Sequence, residues 1–85
     1  MKNLEPIIKL LTVIIEDRTV PRNIRAAADE AKKNLTEKSD SGWDIRLSSA
    51  ISVLDEIIND PNMPIYTRTQ IWNVVSMLES AKREL

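Results

Sequence analysis

The chain contains no cysteine and no histidine, and only one of its 85 residues is glycine. Without cysteine there is no disulfide framework, no thiolate nucleophile and none of the usual zinc-ligand spacings. Without histidine the commonest general base and the commonest metal ligand are gone, so a conventional nucleophile–base triad has no base. Aromatics are limited to Trp43, Tyr66 and Trp72. Neither charge dominates: twelve basic residues oppose thirteen acidic ones, for a net charge of −1. A protein that coats nucleic acid would need a strong basic excess. Long apolar runs are also missing. The N-terminal stretch is broken by Glu5, Pro6, Lys9 and Thr12, too short and polar for a membrane span and lacking a cleavage site. A soluble cytoplasmic chain is expected.

What is present is a sequence said nearly twice. Residues 14–25 read IIEDRTVPRNIR and residues 57–68 read IINDPNMPIYTR, 43 positions later. Five of the twelve pairs are identical: Ile14/Ile57, Ile15/Ile58, Asp17/Asp60, Pro21/Pro64 and Arg25/Arg68. Ordinary composition would give roughly one. The same frame pairs Ile8 with Ile51, Leu11 with Leu54 and Leu35 with Leu78. Self-similarity at this period marks repeated helical hairpins.

The apolar spacing places four helices. The first covers about 4–17, capped by Asn3, with Pro6 in its first turn and apolar residues at 4, 7, 8, 11, 14 and 15. The second, about 21–37, opens at Pro21 and turns Ile24, Ala28, Ala31 and Leu35 inward. A polar connector at 38–42 holds the glycine, and Ser41 with Asp44 has the spacing of a capping box. The third helix, about 43–59, buries Leu47, Ala50, Ile51, Leu54, Ile57 and Ile58. The fourth, about 64–82, starts at Pro64 and buries Ile71, Val74, Val75, Leu78 and Ala81. The expected fold is all-α: one domain built as two similar hairpins, half-repeats about 4–37 and 43–82, closed into a compact four-helix bundle.

Each hairpin turn has the form D-x-x-[VM]-P-x-x-x-R. Val20 and Met63 are expected to plug the hairpin ends, while Asp17 and Asp60 bond turn amides or approach Arg25 and Arg68. The structural turn set is thus Asp17, Pro21, Arg25, Asp60, Pro64 and Arg68. This pattern resembles the turn region of HEAT-type helical repeats, which implies architecture and no activity. Two copies are too few for an open solenoid.

Candidate chemistry is sparse. The carboxylate pairs Asp29/Glu30 and Asp55/Glu56 are adjacent on a helix and diverge, so neither can share a substrate. No phosphate loop, dinucleotide fingerprint or calcium loop occurs. No catalytic, metal or cofactor site is expected. Arg18, Arg22, Arg25, Lys32 and Lys33 form a basic stripe near a helix N-terminus that could meet RNA phosphate, although Arg25 and Asp29 are spaced for a surface pair. Trp43 and Trp72 read either as half-buried flanks of the core or as contact anchors of the kind that dominate interfaces. Leu10 and Val13 widen the apolar face of the first helix, which implies packing on two sides.

The run Asn59-Asp60-Pro61-Asn62-Met63-Pro64, followed by Thr67-Arg68-Thr69-Gln70-Ile71-Trp72-Asn73, resembles an archaeal family of short all-helical proteins described only as uncharacterised. The segment from Asp17 to Ala28, with VPRNIRAAA at its heart, is similar to the same family's upstream motif. The resemblance implies an archaeal source and a helical bundle, brings no catalytic or binding residue, and gives no weight to Gly42 or Trp43 in the variable connector. The leading expectation is a small non-enzymatic module for protein–protein interaction or assembly, a homo-oligomer (dimer or higher), with Leu10, Val13, Trp43 and Trp72 at the interface. The alternative is an RNA- or ribosome-associated accessory protein using the basic stripe.

Overall fold

A computed structural model describes residues 3–85. It contains α1 (Glu5–Glu16), α2 (Arg22–Thr36), α3 (Trp43–Ile57) and α4 (Ile65–Arg83), and no strand among the described residues. Short connections make successive helices antiparallel, and α1 and α4 meet to close the ring, so each helix packs against two neighbours. The Cα radius of gyration, 12.1 Å, matches the ~12 Å of a compact chain this long. The bundle is closed: with α1 packed on α4, the two hairpins bury their apolar faces against each other.

The apolar stripes meet at the centre. Leu11, Ile14, Ile24, Leu47, Leu54, Ile71, Val74 and Leu78 are fully buried, with Ala28, Ala31 and Ala50 letting the helices approach closely. Val20 and Met63 are buried at the hairpin turns, where they close the end of the core. Leu4, Ile8, Leu10, Ile15, Trp43, Ile51, Ile57 and Val75 pack around its margin.

Helix starts depart from expectation in three details. Pro21 and Pro64 occupy the cap position itself, with ψ of 150° and 146°, so the helices begin one residue later. The Ser41–Asp44 capping box does not form: Gly42 is the cap of α3, without a side-chain bond, and the Ser41 amide donates to Ser39 Oγ at 3.0 Å. Asn3 accepts the Glu5 amide at 2.9 Å but is not the cap of α1, a position taken by Leu4 without a side-chain bond. Gly42 has φ of −69°, so its conformation is open to any residue.

Candidate functional site

Both hairpin turns carry the same backbone bonds 43 positions apart. Asp17 N–H donates to Ile14 O and Val20 N–H to Asp17 O, as Asp60 does to Ile57 O and Met63 to Asp60 O. Asp17 Oδ1 accepts the Thr19 amide at 2.9 Å and Asp60 Oδ1 the Asn62 amide at 2.8 Å. Of the two roles open to these carboxylates, the turn amides win. Their arginines point elsewhere. Arg25 Nε donates to Val20 O at 3.0 Å, while Arg68 donates through Nε to Ile58 O and through Nη2 to Asp60 O, both at 2.9 Å. Each guanidinium thus ties down carbonyls that the ending helix or its turn leaves exposed.

A third arginine does the same in the connector, and the sequence reading missed it. Arg46 donates to Asn34 O at 2.9 Å and Glu37 O at 2.7 Å, with its guanidinium 3.9 Å from the centroid of Trp43. The signal was available: Arg46 follows Gly42 by four, as Arg25 follows Pro21 and Arg68 follows Pro64. Trp43 is therefore a half-buried flank of the core, stacked under a capping arginine.

Two residues that differ between the copies cross from one turn to the other. Asn23 Nδ2 donates to Asp60 Oδ2 at 2.8 Å, and Tyr66 OH donates to Asp17 Oδ2 at 2.9 Å. The Tyr66 oxygen is also 2.7 Å from Thr19 Oγ1, whose own proton lies toward Asp17 Oδ1 at 2.6 Å. Asn23 and Tyr66 occupy the same position of the 43-residue frame, so the exchange is reciprocal. It pins the two hairpins together at the turn end of the bundle.

The Thr19 hydroxyl, then the Thr19 amide and the Tyr66 hydroxyl, hold the Asp17 carboxyl below its ordinary value. A lowered folded-state pKa stabilises the protein above the unfolded value of ~3.9, and that contribution is lost as pH falls through the folded value. Asp17→Asn is accordingly expected to unfold more easily in urea than the wild type at pH 6. The gap should narrow below about pH 4. A gap that stays constant down to pH 2 would remove the carboxylate from the explanation.

Two residues of the basic stripe have partners within the fold. Arg25 is committed to Val20 O, and Lys33 pairs with Asp29 at 3.3 Å, so the anticipated Arg25–Asp29 pair gives way to Lys33–Asp29. Arg18 and Arg22 are exposed and Lys32 is half-buried. A groove of about 370 Å³ at the far end of α2, toward the connector, is lined by Glu30, Lys33, Asn34, Glu37 and Arg46 among others, with charges of both signs. No group of three or more acidic side chains could hold a metal ion among the described residues. Nor is any helix there long and apolar enough to cross a membrane.

The outer face of α4 is different. Ile65, Thr69, Trp72 and Ser76 are spaced by four, three and four residues, which makes them one stripe, and all four are exposed. Ile65 is 80% exposed, Trp72 58% and Tyr66, beside the stripe, 51%. The reading of Trp72 as a core flank is overturned, because the core side of α4 is already filled by Thr67, Ile71, Val74 and Leu78. From 65 to 78 the only charged residue of α4 is Arg68, which is turned to backbone carbonyls. On the adjoining α1, Leu10 is half-buried against the core and Val13 is 53% exposed.

Comparison with known proteins accords with this fold. Residues 1–81 match the uncharacterised protein family UPF0147. The UPF0147 protein of Methanocaldococcus jannaschii is 55% identical over 73 residues, covering 86% of this chain and 77% of its own. That of Sulfurisphaera tokodaii is 53% identical over 73 residues, covering 86% and 81%. Among solved structures, the protein of unknown function MMP1188 superposes with a TM-score of 0.85 at 55% identity, over 91% of this chain and 86% of that one. A UPF0147 protein from Thermoplasma acidophilum gives 0.84 at 35% identity, over 91% and 89%. With the same four-helix fold and this much shared sequence along most of its length, the chain belongs to the UPF0147 family.

Proposed function

We propose that this protein is a non-enzymatic cytoplasmic module that works by protein–protein contact through the outer face formed by α4 and α1. The observation that carries this reading is the exposed Ile65, Tyr66 and Trp72 on a helix face that lacks free charge for nearly four turns. Interface cores are depleted in charge and enriched in Trp, Tyr and Met, whereas ordinary surface is mixed. In a chain that is 29% charged, such a stretch stands apart.

The 43-residue frame supports the inclusion of α1. Asn23, Glu30, Val53, Glu56 and Ile57 help line a groove between α2 and α3. Their counterparts are Tyr66, Asn73, Leu10, Val13 and Ile14, which places Leu10 and Val13 on the α4 side of α1. Both glutamates of the first groove are replaced by uncharged residues in the second. Divergence between the halves thus removes the charge from the second face, while Ala26 and Ala27 of the first groove give way to Thr69 and Gln70. The RNA alternative rests on Arg18, Arg22 and Lys32, since Arg25 and Lys33 have partners within the fold.

The test is affinity purification from the native host of tagged wild type, Trp72→Asp and Arg22→Glu, read by mass spectrometry and RNA sequencing. Protein bound by wild type and Arg22→Glu but lost from Trp72→Asp is the expected result. RNA lost from Arg22→Glu and retained by Trp72→Asp would replace this reading with the alternative.

A further inference from the structure

We infer that the occupant of the α4–α1 face is a second copy of this chain, in a two-fold dimer with Trp72 close to the axis. The inference rests on the reading of that face as an interface, and three observations select the copy as its partner. The first is charge. A two-fold axis brings each residue of the patch near itself or its mirror position, so a charge close to the axis would meet its own kind. Ile65, Thr69, Trp72, Asn73 and Ser76 carry none, and the charges nearest Val13 on α1, Lys9 and Glu16, are of opposite sign.

The second is relief. Trp72 projects from α4 with Thr69 three residues before it and Ser76 four after, all on one stripe. A large flat side chain between two small ones is a ridge beside two hollows, and an antiparallel copy offers hollows to that ridge. The indole of each copy then covers the low ground at Thr69 and Ser76 of the other. The third is size. With Ile65 at 80%, Trp72 at 58%, Val13 at 53% and Tyr66 at 51% exposure, the face offers roughly 700 Å² once Thr69, Gln70, Asn73 and Ser76 are included, close to the ~800 Å² per partner of a standard interface. A chain of 85 residues with no disulfide gains from such burial.

Sedimentation velocity of the full chain tests this at tens of micromolar, where the wild type should run at twice its 9.7 kDa mass. Trp72→Glu and Thr69→Arg, both at exposed positions, are expected to weaken the dimer at least about 30-fold while the helical circular dichroism stays unchanged. Ile45→Glu, at an exposed apolar site on α3, should leave it intact. Because the chain has no cysteine, Thr69→Cys treated with a short bismaleimide should yield a covalent dimer and Ser52→Cys should not. A strictly monomeric wild type would overturn the inference; Trp72-dependent protein capture in the purification above would then still uphold the interaction reading. A dimer indifferent to both Trp72→Glu and Thr69→Arg would overturn it as well, by placing the contact on another face.

Discussion

Arg68→Met is expected to destabilise the protein by about 2 kcal/mol, lowering the thermal midpoint by roughly 10 °C. The side chain is half-buried and bridges two carbonyls, Ile58 O at the end of α3 and Asp60 O in the turn. Charge-assisted bonds contribute about 1.5–3 kcal/mol each when desolvated, and the partial exposure here reduces that. Methionine keeps the aliphatic packing and removes both donors, leaving the carbonyls to find water at the edge of the core. Arg25→Met removes one such bond, to Val20 O, and should cost about half as much. Arg68→Lys should recover only part of the loss, because an ammonium cannot span two carbonyls in the planar geometry of the fork. Urea denaturation of the three variants at pH 7 reads the order. If Arg25→Met proved as costly as Arg68→Met, the second carbonyl would carry none of the effect.

The same arginines show how far the sequence could be read. The D-x-x-[VM]-P-x-x-x-R pattern is short-range, and everything it needs lies within nine residues, so the turn, its Asx bonds and the buried Val20 and Met63 were all legible. The apolar stripes were legible because period alone decides which side of a helix is inward. Arg46 escaped notice because residues 38–42 match neither turn at any position in register, and only its offset from Gly42 marks it. Trp72 was misplaced for a related reason. It lies about 100° from Ile71, where periodicity leaves a residue at the margin, and the filling of the core side by Thr67, Ile71, Val74 and Leu78 decides that it faces outward. The Asn23–Asp60 and Tyr66–Asp17 bonds were beyond reach, since they join residues 37 and 49 positions apart and exist only once the hairpins have docked.

The clearest asymmetry between the halves lies in the core, and it sets up a pair of opposite effects. Ile24 and Thr67 share one position of the frame and both are fully buried. The Thr67 hydroxyl has no hydrogen-bond partner. Thr12, Thr36 and Thr69 each donate to the carbonyl four residues back, at Ile8, Lys32 and Ile65. Thr67 is the third residue of α4, so the carbonyl four back belongs to Met63, outside the helix and out of line. An unpaired buried hydroxyl costs about 1–3 kcal/mol. Thr67→Val, which keeps the shape and removes the oxygen, should therefore stabilise the protein by about 1 kcal/mol. Ile24→Thr does the reverse: it deletes buried hydrocarbon and introduces a hydroxyl for which the carbonyl four back, that of Val20, also lies outside the helix and already accepts from Arg25. A loss of about 3 kcal/mol is expected, larger than that of any arginine variant here. Urea unfolding of the two single variants and their combination measures both terms. A loss of stability in Thr67→Val would show that the hydroxyl is satisfied in solution by a bound water, and would move the cost of the substitution to that water's displacement.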